Sequence, residues 1–274
     1  MEWSRVVRRG LLGGLMVTLA ILLRADVPVA ATGSAVTLSR HDPVKIHHLR
    51  DGVAYSTNWS GYAVTGNPGS VTDVKASWVV PAVTCSAGQT QYSSFWVGID
   101  GYSDNTVEQT GTDSDCQNGV PTYYAWFEFY PHPMMQVNTL TVHANDVISA
   151  EAKYVGNNRY QVTVTDITTH QSFSDTSRLS SAQRASAEWI AEAPSSIGGV
   201  LPLANFGVAD FGQNYTPVSN TGSATVGGKN GLIGSFGSNV QTINMVESDG
   251  VTPKATPSSL SGDGSSFAVT WHNQ

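Results

Sequence analysis

Three short stretches combine residue types that core packing does not call for. The run Thr106-Val107-Glu108-Gln109-Thr110 follows an Asp100-Gly101 turn, stops at Gly111, and sets an amide beside a carboxylate on an extended segment. The run AEWIAEA, residues 187–193, puts Glu188, Ile190 and Glu192 on one face if extended, and Ala187, Trp189 and Ala191 on the other. In 122–130 the same alternation groups Thr122, Tyr124, Trp126, Glu128 and Tyr130 into an aromatic, acidic face like the wall of a binding cleft. Tyr123, Ala125, Phe127 and Phe129 form a core face opposite.

Amides and carboxylates suffice to hydrolyse a peptide bond. A glutamate of ordinary pKa, ~4.3, stays ionised in mild acid and can take a proton from water, then return it to a departing amine. A glutamine cannot titrate. Its NH₂ can donate to an oxyanion while its carbonyl holds the water, and it spares the base the repulsion of a second carboxylate.

Other chemistries find little support. There is no H-E-x-x-H, no G-x-S-x-G and no cysteine/histidine cluster at zinc spacing. Gly222 and Gly227 have phosphate-loop spacing, but Gly228 stands where the lysine belongs. Asp175-Thr176-Ser177 is a single acidic triplet in a weak context and reads as a turn. Four histidines follow residue 55, none beside a serine or cysteine partner, and in acid a histidine would be protonated and useless as a base. No cofactor and no metal are expected.

The elements that must position these residues are strands. Segments 57–65, 73–80, 92–99, 106–111, 122–130, 139–143, 147–155, 159–167, 200–211, 239–246 and 265–272 are short, rich in Val, Thr, Tyr and Trp, and divided by Gly, Asn, Asp, Ser and Pro. Asn157-Asn158 reads as a tight hairpin, Ser180–Ala187 as the one helical turn, and 250–264 as a surface loop. Many short strands without βαβ alternation predict an all-β sandwich.

Charge and targeting set the context. Charged residues make up 13% of the 274, and the chain after residue 55 carries seven basic and seventeen acidic residues, net −10. Such a domain repels nucleic acid and anionic lipid. Residues 1–31 read as a secretory signal: Arg5, Arg8 and Arg9 precede an apolar run from Leu11 to Leu23, and Val29-Ala30-Ala31 offers a cleavage site. Secretion favours a disulfide, and Cys85 and Cys116 allow one pairing. Residues 32–55 form a basic segment without strand alternation, either a flexible arm or a propeptide covering an acidic cleft; 56–274 is the folded domain. The sequons at Asn58 and Asn214 matter only in a host that glycosylates.

In order and rough spacing, NWSGY, WVGIDG, EQTGTD, YYAWFEFYP, SAEWIAE, NMVESDG and SGDGSSFAVTW resemble the glutamic peptidases, also called eqolisins, the fungal acid endopeptidases of the G1 type. The resemblance runs from about Asn58 to the last strand. It implies a concanavalin-like or lectin-like sandwich of two curved antiparallel sheets with the cleft on a concave face. It also implies a secreted acid endopeptidase whose catalytic pair is Gln109 of the Q-T-G run and Glu188 of the A-E-W-I run. Trp96, Asp100, Trp126 and Glu128 match residues lining the family's site. Glu108 departs from the pattern, standing where the family often has an apolar residue. Polypeptide substrates follow, with no nucleic acid, no membrane once the signal is removed, and a monomer as default. The competing readings are a carbohydrate-active enzyme using Glu128 with Glu188 or Glu192, a lectin-like binding module, and an inactive peptidase homologue.

Overall fold

The computed structural model describes residues 39–274, so the signal sequence and the start of the basic segment lie outside the described residues. The first strands are β1 (Ile46–Arg50), β2 (Val53–Ser56), β3 (Trp59–Thr65), β4 (Val71–Val79), β5 (Ser94–Ile99), β6 (Val107–Gln117) and β7 (Val120–Tyr130). Then come β8 (Met135–Gln136), β9 (Val147–Tyr154), β10 (Arg159–Asp166), β11 (Gln171–Arg178), β12 (Ser186–Glu192), β13 (Ser195–Ser196) and β14 (Gly199–Val200). The last are β15 (Val208–Phe211), β16 (Ser223–Val226), β17 (Lys229–Leu232), β18 (Val240–Val246), β19 (Pro253–Pro257) and β20 (Phe267–Trp271).

Apart from the small β13–β14 pair, they form two layers, as the sandwich reading expects. One runs β1–β2–β18–β3–β12–β5–β6–β7–β8. The other runs β11–β10–β9–β4, with β16–β17 and β15–β20–β19 attached to β4. A pairing between β18 and β19 joins the layers at one edge. The main core lies between them, with Phe95, Val97, Ile99, Ala187 and Trp189 of the first layer packed against Trp78, Ile148, Tyr160, Val162, Phe211 and Phe267 of the second. A second cluster, on the outer face of the first layer, holds Trp59, Ala63, Trp96, Val107, Trp126, Ile190 and Ile243. The same face carries Gln109, Glu128 and Glu188.

Several expectations need correction. No strand forms over 139–143; a turn and irregular chain lie there. Asp175-Thr176-Ser177 is not a turn but part of β11, paired with β10 through Val162 opposite Asp175. The apolar pattern of β11 is weak because its outer face is polar: Thr163 bonds Ser174 and Thr165 bonds Ser172 across the pair, while Phe173 packs on Phe127. The stretch from Ser180 makes a turn and then irregular chain, not a helix, until β12 begins at Ser186. Residues 46–50 and 53–56 of the basic segment are strands, and 253–257 is a strand inside the expected loop. Strand β6 continues to Gln117, six residues past Gly111. Asn157 and Asn158 both take positive φ (54° and 56°) and close the β9–β10 hairpin as expected.

The Cys85–Cys116 disulfide is formed and fastens the end of β6 to the chain before β5. With a sequence separation of 31 it contributes about 3–4 kcal/mol in the chain-entropy model.

Gly111 is required by packing. A Cβ there would strike the Phe95 carbonyl oxygen and stand 2.6 Å from Trp96 Cβ. Gly111→Ala should lower the free energy of unfolding by about 2 kcal/mol or more. Urea denaturation with an unchanged m-value reads this loss; an unchanged midpoint would contradict the packing account.

Candidate active site

Register across four strands gathers the polar residues on the outer face. Gly98 of β5 lies opposite Gln109 of β6, which lies opposite Glu128 of β7. One step along, Trp96, Gly111 and Trp126 form the next rank, and then Ser94, Asp113 and Tyr124. Strand β12 flanks β5 with Glu188 opposite Gly98, Ile190 opposite Trp96 and Glu192 opposite Ser94.

Gln109 is fully buried, and its Nε2 donates to the backbone carbonyl of His41 at 2.7 Å and to Glu128 Oε2 at 3.1 Å. A carbonyl cannot donate, so the amide orientation is dictated by what it faces. Gln109 Oε1 is buried with no protein partner. Glu192 Oε2 accepts from Trp96 Nε1 at 2.8 Å and lies 3.4 Å from His41 Nδ1, while its Oε1 has no protein partner. Trp126 donates to Ser94 Oγ at 3.1 Å and stacks on the His41 ring, centroids 3.6 Å apart and planes 10° apart. Trp96 meets Trp59 edge-on at 4.8 Å. The Tyr124 hydroxyl lies 2.7 Å from Asp113 Oδ2 and 3.1 Å from Asp115 Oδ2.

The basic segment fills this cleft. Arg40 makes an antiparallel bridge with Ser195 through both of its backbone groups, at 2.8 and 2.9 Å. The His41 N–H donates to Glu128 Oε2 at 3.0 Å. The Asp42 carbonyl accepts from Trp59 Nε1 at 3.1 Å and from Asn58 Nδ2 at 3.3 Å. Lys45 Nζ reaches Asp42 at 2.7 Å and Ser195 Oγ at 2.6 Å. Asn58 is thereby buried and engaged, closed to a glycan in this arrangement.

Not every residue picked from sequence meets the others. Gln109, Glu128, Trp96 and Trp126 converge. Glu188 is the exception: it lies level with Gln109 across Gly98, on the same strand as Glu192, but neither of its carboxyl oxygens bonds to any of these residues. Its neighbours are Ser186, Asp100, Asp104 and Glu108. Asp100, at φ 74°, accepts backbone N–H groups from Gln183, Arg184 and Ala185 at 2.6–2.8 Å and so brackets the chain entering β12. Glu108 points to the opposite face from Gln109, into the interior near Tyr160, and adds no charge to the cleft. Sequence reasoning missed His41, Trp59 and Asp113, while Tyr124 stands on the face read as a cleft wall. Glu192 was visible as the second acid of AEWIAEA, but alternation alone does not rank it against Glu188.

Burial dominates the electrostatics. It raises Glu108, Asp115, Glu128, Glu188 and Glu192 well above the ordinary carboxylate range, Asp113 to about 7 and Asp100 to about 6. Burial also lowers His41 from 6.5 to about 3. A raised carboxyl makes the folded form bind protons that the unfolded chain has released. Its stabilisation is full below the ordinary value and is lost as pH rises through the folded one. His41 acts oppositely, contributing fully above 6.5 and losing this as pH falls toward 3. Seven carboxyls outweigh one imidazole, so the melting temperature should fall as pH rises from about 4 to about 7. Calorimetry across that window checks the sign; a rising melting temperature would contradict it.

The sequence profile of the Peptidase A4 family matches residues 57–270. Aspergillopepsin-2 of Aspergillus niger is 29% identical over 239 residues, 79% of this chain and 78% of that protein. Scytalidopepsin B of Scytalidium lignicola is 33% identical over 141 residues, 50% of this chain and 51% of that protein. Among solved structures, scytalido-glutamic peptidase with a transition-state analogue inhibitor aligns with TM-score 0.63 at 25% identity, over 79% of this chain and 98% of that one. Aspergilloglutamic peptidase from Aspergillus niger aligns with TM-score 0.55 at 27% identity, over 66% and 99%. The chain belongs to the Peptidase A4 family and is a glutamic peptidase, a hydrolase of peptide bonds.

Proposed function

We propose that the chain is a secreted acid endopeptidase in which Gln109 polarises the scissile carbonyl and Glu192, rather than Glu188, is the general base and then the general acid. The observation that carries this reading is a peptide carbonyl, that of His41, held 2.7 Å from Gln109 Nε2 while Glu192 lies 3.4 Å from the ring of the same residue. Glu188 approaches neither.

In this mechanism a substrate carbonyl takes the place of the His41 carbonyl. Water is held between Gln109 Oε1 and Glu192 Oε1, both buried acceptors without a protein partner. Glu192 accepts the water's proton, hydroxide adds to the carbonyl carbon, and Gln109 Nε2 donates to the developing oxyanion. Glu192 then returns the proton to the leaving nitrogen. Glu128 holds the second hydrogen of the Gln109 amide and so fixes its rotation. Trp96 donates to Glu192 Oε2 and stabilises its charged form.

Acid operation follows from burial. Under Ser39–Pro43, burial favours the protonated form of Glu192 and so weakens it as a base. Once the cleft opens to water and substrate, its carboxyl moves back toward the ordinary range and is ionised in mild acid. The basic segment is thus read as a propeptide that both blocks the cleft and neutralises its base. Secretion rests on the N-terminal apolar run; among the described residues no helix is long and apolar enough to cross a membrane.

Hydrolysis of unfolded casein by the full chain at about pH 4 tests the assignment. Gln109→Ala and Glu192→Gln should each lose about 10²-fold or more in kcat, whereas Glu188→Gln should stay within about tenfold of wild type. Circular dichroism confirms folding of each variant. A dead Glu188→Gln beside an active Glu192→Gln would return the role to Glu188.

A further inference from the structure

Resting on the peptidase reading above, we infer that the His41–Asp42 peptide bond is itself a substrate, which the chain hydrolyses within its own cleft to leave Asp42 as a new N-terminus. The segment is held on both sides of this one bond. On the acyl side, Arg40 pairs with Ser195, the His41 N–H donates to Glu128, and the His41 ring is fully buried on Trp126 with Glu192 at 3.4 Å and Asp113 at 4.0 Å. On the amine side, the Asp42 carbonyl is fixed by Trp59 and Asn58, Val44 N–H donates to the Gly101 carbonyl at 3.1 Å, and Lys45 N–H donates to Asn58 at 2.7 Å. Between the two sets, the carbonyl that accepts the Gln109 hydrogen bond belongs to His41 and to no neighbour. A peptide tethered this way reacts as a unimolecular substrate.

The step balances as ordinary hydrolysis. Water supplies hydroxide to the His41 carbonyl carbon, the bond from that carbon to the Asp42 nitrogen breaks, and the water's other proton reaches the Asp42 amine through Glu192. No oxidant or other co-reactant enters. Because burial favours the protonated form of Glu192 while the segment is docked, the cut is slow beside turnover of free substrate. The products separate unequally. Asp42 remains tied by Lys45, Asn58 and Trp59, while the piece ending at His41 is held by its ring stack, the Ser195 pairing and the bonds to Glu128 and Gln109.

The full chain is incubated at about pH 4, and its mass and N-terminal sequence are followed with casein present or absent. The expected result is a species beginning at Asp42, formed at a rate independent of protein concentration and lost in Gln109→Ala. The next bond, Asp42–Pro43, is of the kind that acid breaks without an enzyme. A first cut there, appearing equally in Gln109→Ala, would overturn the inference. So would a chain that digests casein while its own first cut falls elsewhere or never occurs; that result leaves the peptidase reading intact. A folded chain that cuts neither itself nor casein removes both.

Discussion

A single amide whose two hydrogens face only acceptors sets the geometry of the cleft. Gln109 is pinned by Glu128 on one side and by a peptide carbonyl on the other, and neither contact survives a small displacement of its strand. The curved outer face, the glycine at position 111 and the disulfide at the end of β6 all act to hold that strand between its neighbours. Large aromatic rings do the rest: Trp59, Trp96 and Trp126 exclude water around the amide and each spends its own N–H on a specific oxygen.

The same burial that sharpens these hydrogen bonds makes charge expensive. A face carrying Glu128, Asp113, Asp115 and Glu192 without a buried lysine or arginine to neutralise them holds its protons to higher pH than ordinary carboxylates do. Such a site is compatible with itself in acid and strained above it. In the proposed mechanism the basic segment adds a second control, because it converts a hydrated cleft into a dry one and thereby shifts the protonation of Glu192.

Much of this fold was legible in the sequence because alternation marks a half-buried strand well. The segments around Trp96, Gln109, Trp126 and Glu188 were read as strands, and their motifs, taken in order, carried the family. What stayed hidden was what alternation does not encode. The polar strand β11 is held by hydroxyl pairs and backbone bonds rather than by apolar burial. The choice between Glu188 and Glu192 depends on which end of β12 faces the occupied cleft, a matter of curvature and register across four strands. Glu108 looked like a neighbour of the site because it adjoins Gln109 in sequence, yet the pleat sends it to the opposite face. The role of His41 was illegible, since a histidine in a polar run gives no sign that it will stack beneath a backbone on a tryptophan.

The central claim is that Gln109 and Glu192 act on one bond as a unit. The most direct measurement is a kinetic cycle on folded protein, comparing kcat/KM for Gln109→Ala, Glu192→Gln and the double variant. If the two share one transition state, the double variant should be about as slow as the slower single variant, because either loss already dismantles the unit. Multiplicative losses, with the double variant slower by the product of the two single effects, would contradict the pairing and leave Gln109 and Glu192 as independent contributors.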